Sequence, residues 1–228
     1  MYAYIKESLD TMLCGLKVTA FAVLLLAGAC SIVFAYPTVT VPTATMVPDK
    51  SLYLDYYGVD TRATNPYAPD RMGIAASYIG LTRNLELDVT NVKPESVDGQ
   101  TTLGSQYLLL TENRTRPAFV VGAEDMTQQN DNTSFYFALA KNVTPFKNGR
   151  PVYPLVRLNL GYGTSPRSAL FGGVQIRVNA AIGLAALSDG HDVVYCLSYY
   201  VPKTGLNIKC GALGRARFVG LEYRFDLK

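Results

Sequence analysis

Val219-Gly220-Leu221-Glu222-Tyr223-Arg224-Phe225-Asp226-Leu227-Lys228 alternates apolar residues with small or charged ones. Val219, Leu221, Tyr223, Phe225 and Leu227 fall on one side of an extended chain. Gly220, Glu222, Arg224 and Asp226 fall on the other. A period of two marks a strand with one apolar and one wet face. A soluble sheet can carry one such strand, but here the pattern recurs along most of the chain. An uncharged apolar leader also lies near the N-terminus. Together they predict an exported all-β protein: an antiparallel up-and-down transmembrane β-barrel whose apolar side meets lipid.

About twelve strands are predicted, near 52–57, 72–79, 84–91, 102–112, 117–127, 133–142, 155–163, 169–178, 181–187, 192–201, 205–212 and 216–227, which gives a barrel of 10–12 strands. The alternating apolar sets include Met72/Ile74/Ala76/Tyr78, Leu85/Leu87/Val89, Phe119/Val121/Ala123 and Leu158/Leu160/Tyr162, and none contains a charge. The opposite sets hold Arg71, Glu86, Asp88, Arg157, Arg177, Glu222 and Arg224, which are the expected lining of the lumen. An Arg or Lys facing lipid at the bilayer midplane costs about 2–4 kcal/mol, and exclusion of charge from one face is what that cost selects. A secreted β-sandwich that binds glycans is the alternative, since its strands also bury one face. The second face favours the barrel, because Gly73, Ala75, Gly161 and Gly173 sit beside the charges and suit a crowded interior. A barrel of this size leaves room for a narrow, polar-lined passage. Several predicted strands are shorter than the roughly 9–11 residues expected of a spanning strand.

At 228 residues with a net charge of +3, the chain fits one domain, and no basic run suggests nucleic acid. Residues 18–34 are uncharged and follow Lys17, as the apolar part of a signal peptide over 1–35 would, with cleavage near Ala35 after Val33-Phe34. A retained membrane helix, a start at Met12 and a lipidated Cys30 stay open beside it. Residues 36–50 carry Pro37, Pro42 and Pro48 and predict an extended Pro/Thr-rich arm, a tether to the barrel over 51–228. The connection 143–154 is long where a short turn is expected, so it holds either a missed strand or a functional loop.

Gln106-Tyr107-Leu108-Leu109-Leu110, Arg116 through Asp125, Leu170-Phe171-Gly172-Gly173-Val174, and Asp189-Gly190 before the hairpin 192–212 resemble the strand motif of YjbH-type outer-membrane proteins. The closing Gly220, Tyr223 and Phe225 resemble the C-terminal signal read by the barrel-assembly machinery. The resemblance covers roughly 70–228. It implies a barrel in the bacterial outer membrane, associated with exopolysaccharide production or export, and not an enzyme.

Little else in the chain carries chemistry. His191 is the one histidine and sits between Asp189-Gly190 and Asp192 at a predicted turn, with Ser188 and Ser198 near in sequence. Hydrolase chemistry needs a base, its orienting group and an oxyanion site, and no G-x-S-x-G or H-E-x-x-H motif appears. No cofactor and no metal are expected. Cys196 and Cys210 invite a disulfide, but the alternation puts Cys196 inward and Cys210 outward. The expected partners are outer-membrane lipid and the barrel-assembly machinery, with polysaccharide or envelope proteins beyond them. The sequence-level function is a narrow pore or a structural anchor in the outer membrane.

Overall fold

A computed structural model describes residues 41–62, 71–95, 98–129, 132–144, 146–147, 150–164 and 169–227. The leader with its cleavage site, Met12 and Cys30 lie outside the described residues. The strands are β1 (Ser51–Asp60), β2 (Arg71–Gly80), β3 (Leu85–Pro94), β4 (Gln100–Leu110), β5 (Ala118–Glu124) and β6 (Ser134–Asn142). The short β7 (Phe146–Lys147) and β8 (Arg150–Pro151) come next. They are followed by β9 (Leu155–Gly163), β10 (Leu170–Arg177), β11 (Ile182–Ser188), β12 (Val193–Tyr200), β13 (Leu206–Leu213) and β14 (Ala216–Asp226). β7 and β8 pair only with each other, so the long connection is an excursion from the wall, a small hairpin between β6 and β9. The other twelve strands form one closed antiparallel barrel in chain order.

β1 closes on β14 in unbroken register from Ser51 opposite Asp226 to Asp60 opposite Arg217. Closure removes the free sheet edge, which hydrocarbon would leave without hydrogen bonds. Tight turns are made by side chains that mimic backbone acceptors: Asn179 Oδ1 accepts from the amides of Ala181 and Ile182 at 2.8 and 2.9 Å. Asn113 Oδ1 does the same for Thr115 and Arg116. β1, β2 and β3 reach 10 residues and β4 and β14 reach 11, whereas β5 and β11 have 7.

The outer wall is apolar. Leu54, Tyr56, Phe135, Leu158, Leu160, Tyr195, Val219 and Leu221 are exposed there, and no second sheet covers them among the described residues. A continuous apolar belt around a closed barrel is a lipid-facing surface, because water would leave far more than the few hundred Å² of apolar patch that a soluble monomer tolerates. The sandwich alternative fails on this point.

One strand faces the other way from the sequence expectation. β1 places Asp55 and Tyr57 in the interior, and the register sets Ala76 opposite Asp55 and Ile74 opposite Tyr57. Met72, Ile74, Ala76 and Tyr78 therefore point inward, and Arg71, Gly73 and Ala75 point to the outside. Arg71 does not line the lumen. The apolar set of β2 faces inward because it packs against chain that fills the barrel.

That chain is the arm. Residues 41–48 are extended, without strand pairing, and they lie inside the barrel. Val41 and Ala44 join an interior cluster with Tyr57, Val59, Ile74, Val120, Ala138, Phe171, Leu187, Val194 and Phe218. Val47 packs with Tyr53 and Tyr78. Over these residues the arm lies within the barrel, where the sequence reading had it as a tether.

Candidate functional site: the filled lumen

The barrel grips the arm by its backbone. Glu86 Oε2 on β3 accepts from the Val47 amide at 2.6 Å, and Gln106 Nε2 on β4 donates to the Thr45 carbonyl at 3.0 Å. On another wall, Arg157 Nη2 of β9 donates to the Ala44 carbonyl at 3.1 Å. Arg157 is held in turn by Glu112, 2.8 Å from its Nη1, and Glu112 also takes the Asn142 amide at 2.7 Å. Charge-assisted bonds of this kind are roughly twice as strong as neutral ones. The arm leaves the lumen over Gly80, where a Cβ would collide with the Pro48 carbonyl. It then turns at Lys50, whose φ is 54°, and enters β1. The Lys50 amide donates to the Gly80 carbonyl at 2.9 Å.

A second polar group latches the seam. Lys209 Nζ on β13 lies 2.6 Å from Glu222 Oε2 on β14 and 3.4 Å from Asp55 Oδ2 on β1. It also lies 2.9 Å from the Tyr57 hydroxyl, which itself donates to Asp55 Oδ2 at 2.8 Å. Asn207 donates to Glu222 Oε1 at 3.3 Å. Lys209 and Glu222 are 1% and 0% exposed, so their charges are compensated by one another and not by water.

The structure places the other expected lining residues individually. Glu86, Arg157 and Arg177 are buried on inward positions, and Arg177 Nη2 donates to the Ala180 carbonyl at 2.7 Å. Asp88 points inward over Gly104, where a side chain would meet its carboxylate. Arg224 also points inward at the rim that holds both barrel ends, 5.9 Å from the Tyr53 ring and bound to Asp226 at 2.8 Å. Cys196 is buried inward, Cys210 is exposed outward, and both are free thiols. His191 is exposed in a turn, where its amide donates to Asp189 Oδ1 at 2.8 Å. Of the three residues expected as an assembly signal, Gly220 is packed beneath Tyr57, while the outward Tyr223 and Phe225 rings are 4.5 Å apart.

Sequence reasoning passed over Asp55, Tyr57 and Glu112, and it read the arm as a tether without placing it in the lumen. One signal was available for the arm: the faces of β5 and β6 opposite lipid carry Ala118, Val120, Ala138 and Ala140. Apolar residues on both faces of adjacent strands mean that the inner side touches something dry.

A solved structure described as "KdgM porin" superposes with a TM-score of 0.52 over 76% of this chain and 99% of its own, at 16% identity. The chain shares a porin's fold. A "KdgM porin in complex with disordered oligogalacturonate" aligns at a TM-score of 0.46 over 77% of this chain and 99% of its own, at 15% identity. No protein-family model and no curated protein matches the sequence. The likeness to the first of these structures is one of fold, and it does not single out the YjbH-type family.

Proposed function

We propose that the protein is an outer-membrane pore closed at rest by its own N-terminal arm. The observation that carries this reading is the three-point backbone grip of Glu86, Gln106 and Arg157 on residues 47, 45 and 44, in that order. Backbone bonds hold an extended segment with little regard to its side chains, and the arm pairs with no strand, so it can be withdrawn without breaking a ladder. With the arm withdrawn, Glu86, Asp88, Arg157, Arg177, Glu222 and Arg224 set the polarity of the passage. The fold it shares with a porin agrees with this reading. Resemblance of residues 70–228 to YjbH-type barrels supports an exopolysaccharide or other envelope export system as its setting. Gly220, Tyr223 and Phe225 supply the signal for the assembly machinery.

Planar-bilayer recording tests the pore. Full-length protein should give small, infrequent openings. A variant that lacks residues 41–48 should conduct steadily and several-fold more. If both insert and neither conducts, the barrel is a structural anchor and the pore reading is wrong.

A further inference from the structure

At the rim opposite the start of β1 and the end of β14, charge on the outer wall is confined to one sector. Among the described outward-facing strand positions, those charged at the rim opposite the barrel's chain ends are Arg217 on β14, Asp60 on β1, Arg71 on β2 and Lys93 on β3. These are four consecutive strands. Elsewhere on the same rim the outward positions include the exposed, apolar Phe135, Tyr162, Leu170 and Val193 and the uncharged Thr101 and Ser188. Asp60 is already engaged, since Arg62 Nε donates to it at 2.9 Å. The side chains of Arg71, Lys93 and Arg217 have no hydrogen-bond or ion-pair partner among the described residues, and Glu95 lies beside them. Between them the wall is notched. Gly58 and Gly73 are directly paired, and Tyr56 lies against Gly73, leaving a groove of about 400 Å³ bounded by Asp60, Arg71 and Lys93.

From this arrangement we infer a binding site for a phosphate-bearing glycolipid of the outer leaflet, with its phosphates on Arg71, Lys93 and Arg217 and its apolar part in the glycine notch. The inference rests on the membrane placement above. Cations on a lipid-facing wall persist where an anion meets them at the headgroup level, and guanidinium groups bind phosphate through paired N–H donors. Three inter-strand steps separate Arg217 from Lys93, about 14 Å at the usual spacing, so the site suits a headgroup with more than one phosphate. β1 begins and β14 ends at the other rim, the rim that an even-stranded outer-membrane barrel turns to the periplasm. The cationic sector therefore sits in the outer leaflet, where lipopolysaccharide is the phosphorylated glycolipid.

Native mass spectrometry of the full-length barrel, with bisphosphorylated lipid A as the probe, tests the site. The intact protein should retain the lipid and hold the monophosphoryl form less well. Arg71→Gln/Lys93→Gln/Arg217→Gln should lower retention about tenfold or more, as loss of several charge-assisted contacts requires. Lys141→Gln should leave it unchanged, because Lys141 sits at the opposite rim and bonds the carbonyls of Asn113, Arg114 and Arg116. Equal retention by the triple variant, or equal retention of a dephosphorylated lipid, overturns the inference. So does displacement of the lipid by inorganic phosphate at equal concentration, which would mark a free-anion site. If the triple variant does not fold, Lys93→Gln and Arg217→Gln singly and the lipid series on intact protein decide the matter. A protein that fails to enter vesicles at all refutes the membrane placement. One that enters and holds no lipid refutes only the site.

Discussion

Lys209 and Glu222 meet at 2.6 Å in the interior, across the pairing of β13 with β14, and Asp55 brings β1 into the same cluster. Three strands on either side of the closing seam are therefore tied by one ammonium group. Lys209→Met removes that group and leaves two carboxylates facing one another without compensation. Breaking a buried ion cluster from one side costs about 3–5 kcal/mol. Urea unfolding in detergent, followed by the gel shift between folded and boiled protein, should show that loss. An unchanged midpoint would mean that the cluster does not hold the seam.

The outer wall gives a second expectation. Leu158 and Leu221 are both exposed on the apolar belt, and Leu158→Arg or Leu221→Arg should each cost about 2–4 kcal/mol in lipid vesicles if they face the bilayer midplane. The same change at Gly58, beside the cationic sector near the rim, should cost less. Equal, small effects at all three positions would count against lipid as the neighbour.

Cys196 and Cys210 are one strand apart in sequence order but on opposite faces, since Leu197 is the residue opposite Cys210. Reducing and non-reducing peptide maps should coincide. In folded protein a membrane-soluble maleimide should label Cys210 and spare Cys196 until unfolding. A linked peptide spanning both residues would require a one-residue slip of β13 that turns Asn207 and Lys209 toward lipid.

Arg157→Ala and Glu86→Ala each remove one grip on the arm and leave the wall strands paired. Both should raise the frequency of channel openings and make the chain before Ser51 more sensitive to added protease. Gly80→Val should act in the same direction, because its side chain would collide with the Pro48 carbonyl at the arm's exit. Closed channels and an intact arm in all three variants would contradict the gating role.

The strand pattern was legible in the sequence because hydrocarbon penalises charge on one face of every strand. Alternation alone thus located all twelve wall strands, down to the inward Cys196 and outward Cys210. β2 escaped this logic. Both of its faces are short of charge, and Arg71 sits at its end, where water and headgroups replace hydrocarbon. Orientation there is set by pairing with Asp55 and Tyr57, which is a tertiary fact. The arm was illegible for a different reason. Pro, Thr and Val without periodicity describe an extended segment equally well in solvent or inside a barrel. Only the apolar inward residues of β5 and β6 hinted at a dry occupant. The seam cluster draws on residues more than 150 positions apart in the chain, such as Asp55 and Lys209, and no local pattern joins them.

Hydrogen exchange at residues 41–48 in the membrane-inserted barrel tests the central claim most directly. A stopper held by Glu86, Gln106 and Arg157 should keep the Val47 amide protected for far longer than an unstructured peptide, and Glu86→Ala should release it. Complete exchange across 41–48 at the rate of a free chain would show that the arm hangs outside the barrel, and the account of a closed lumen would be wrong.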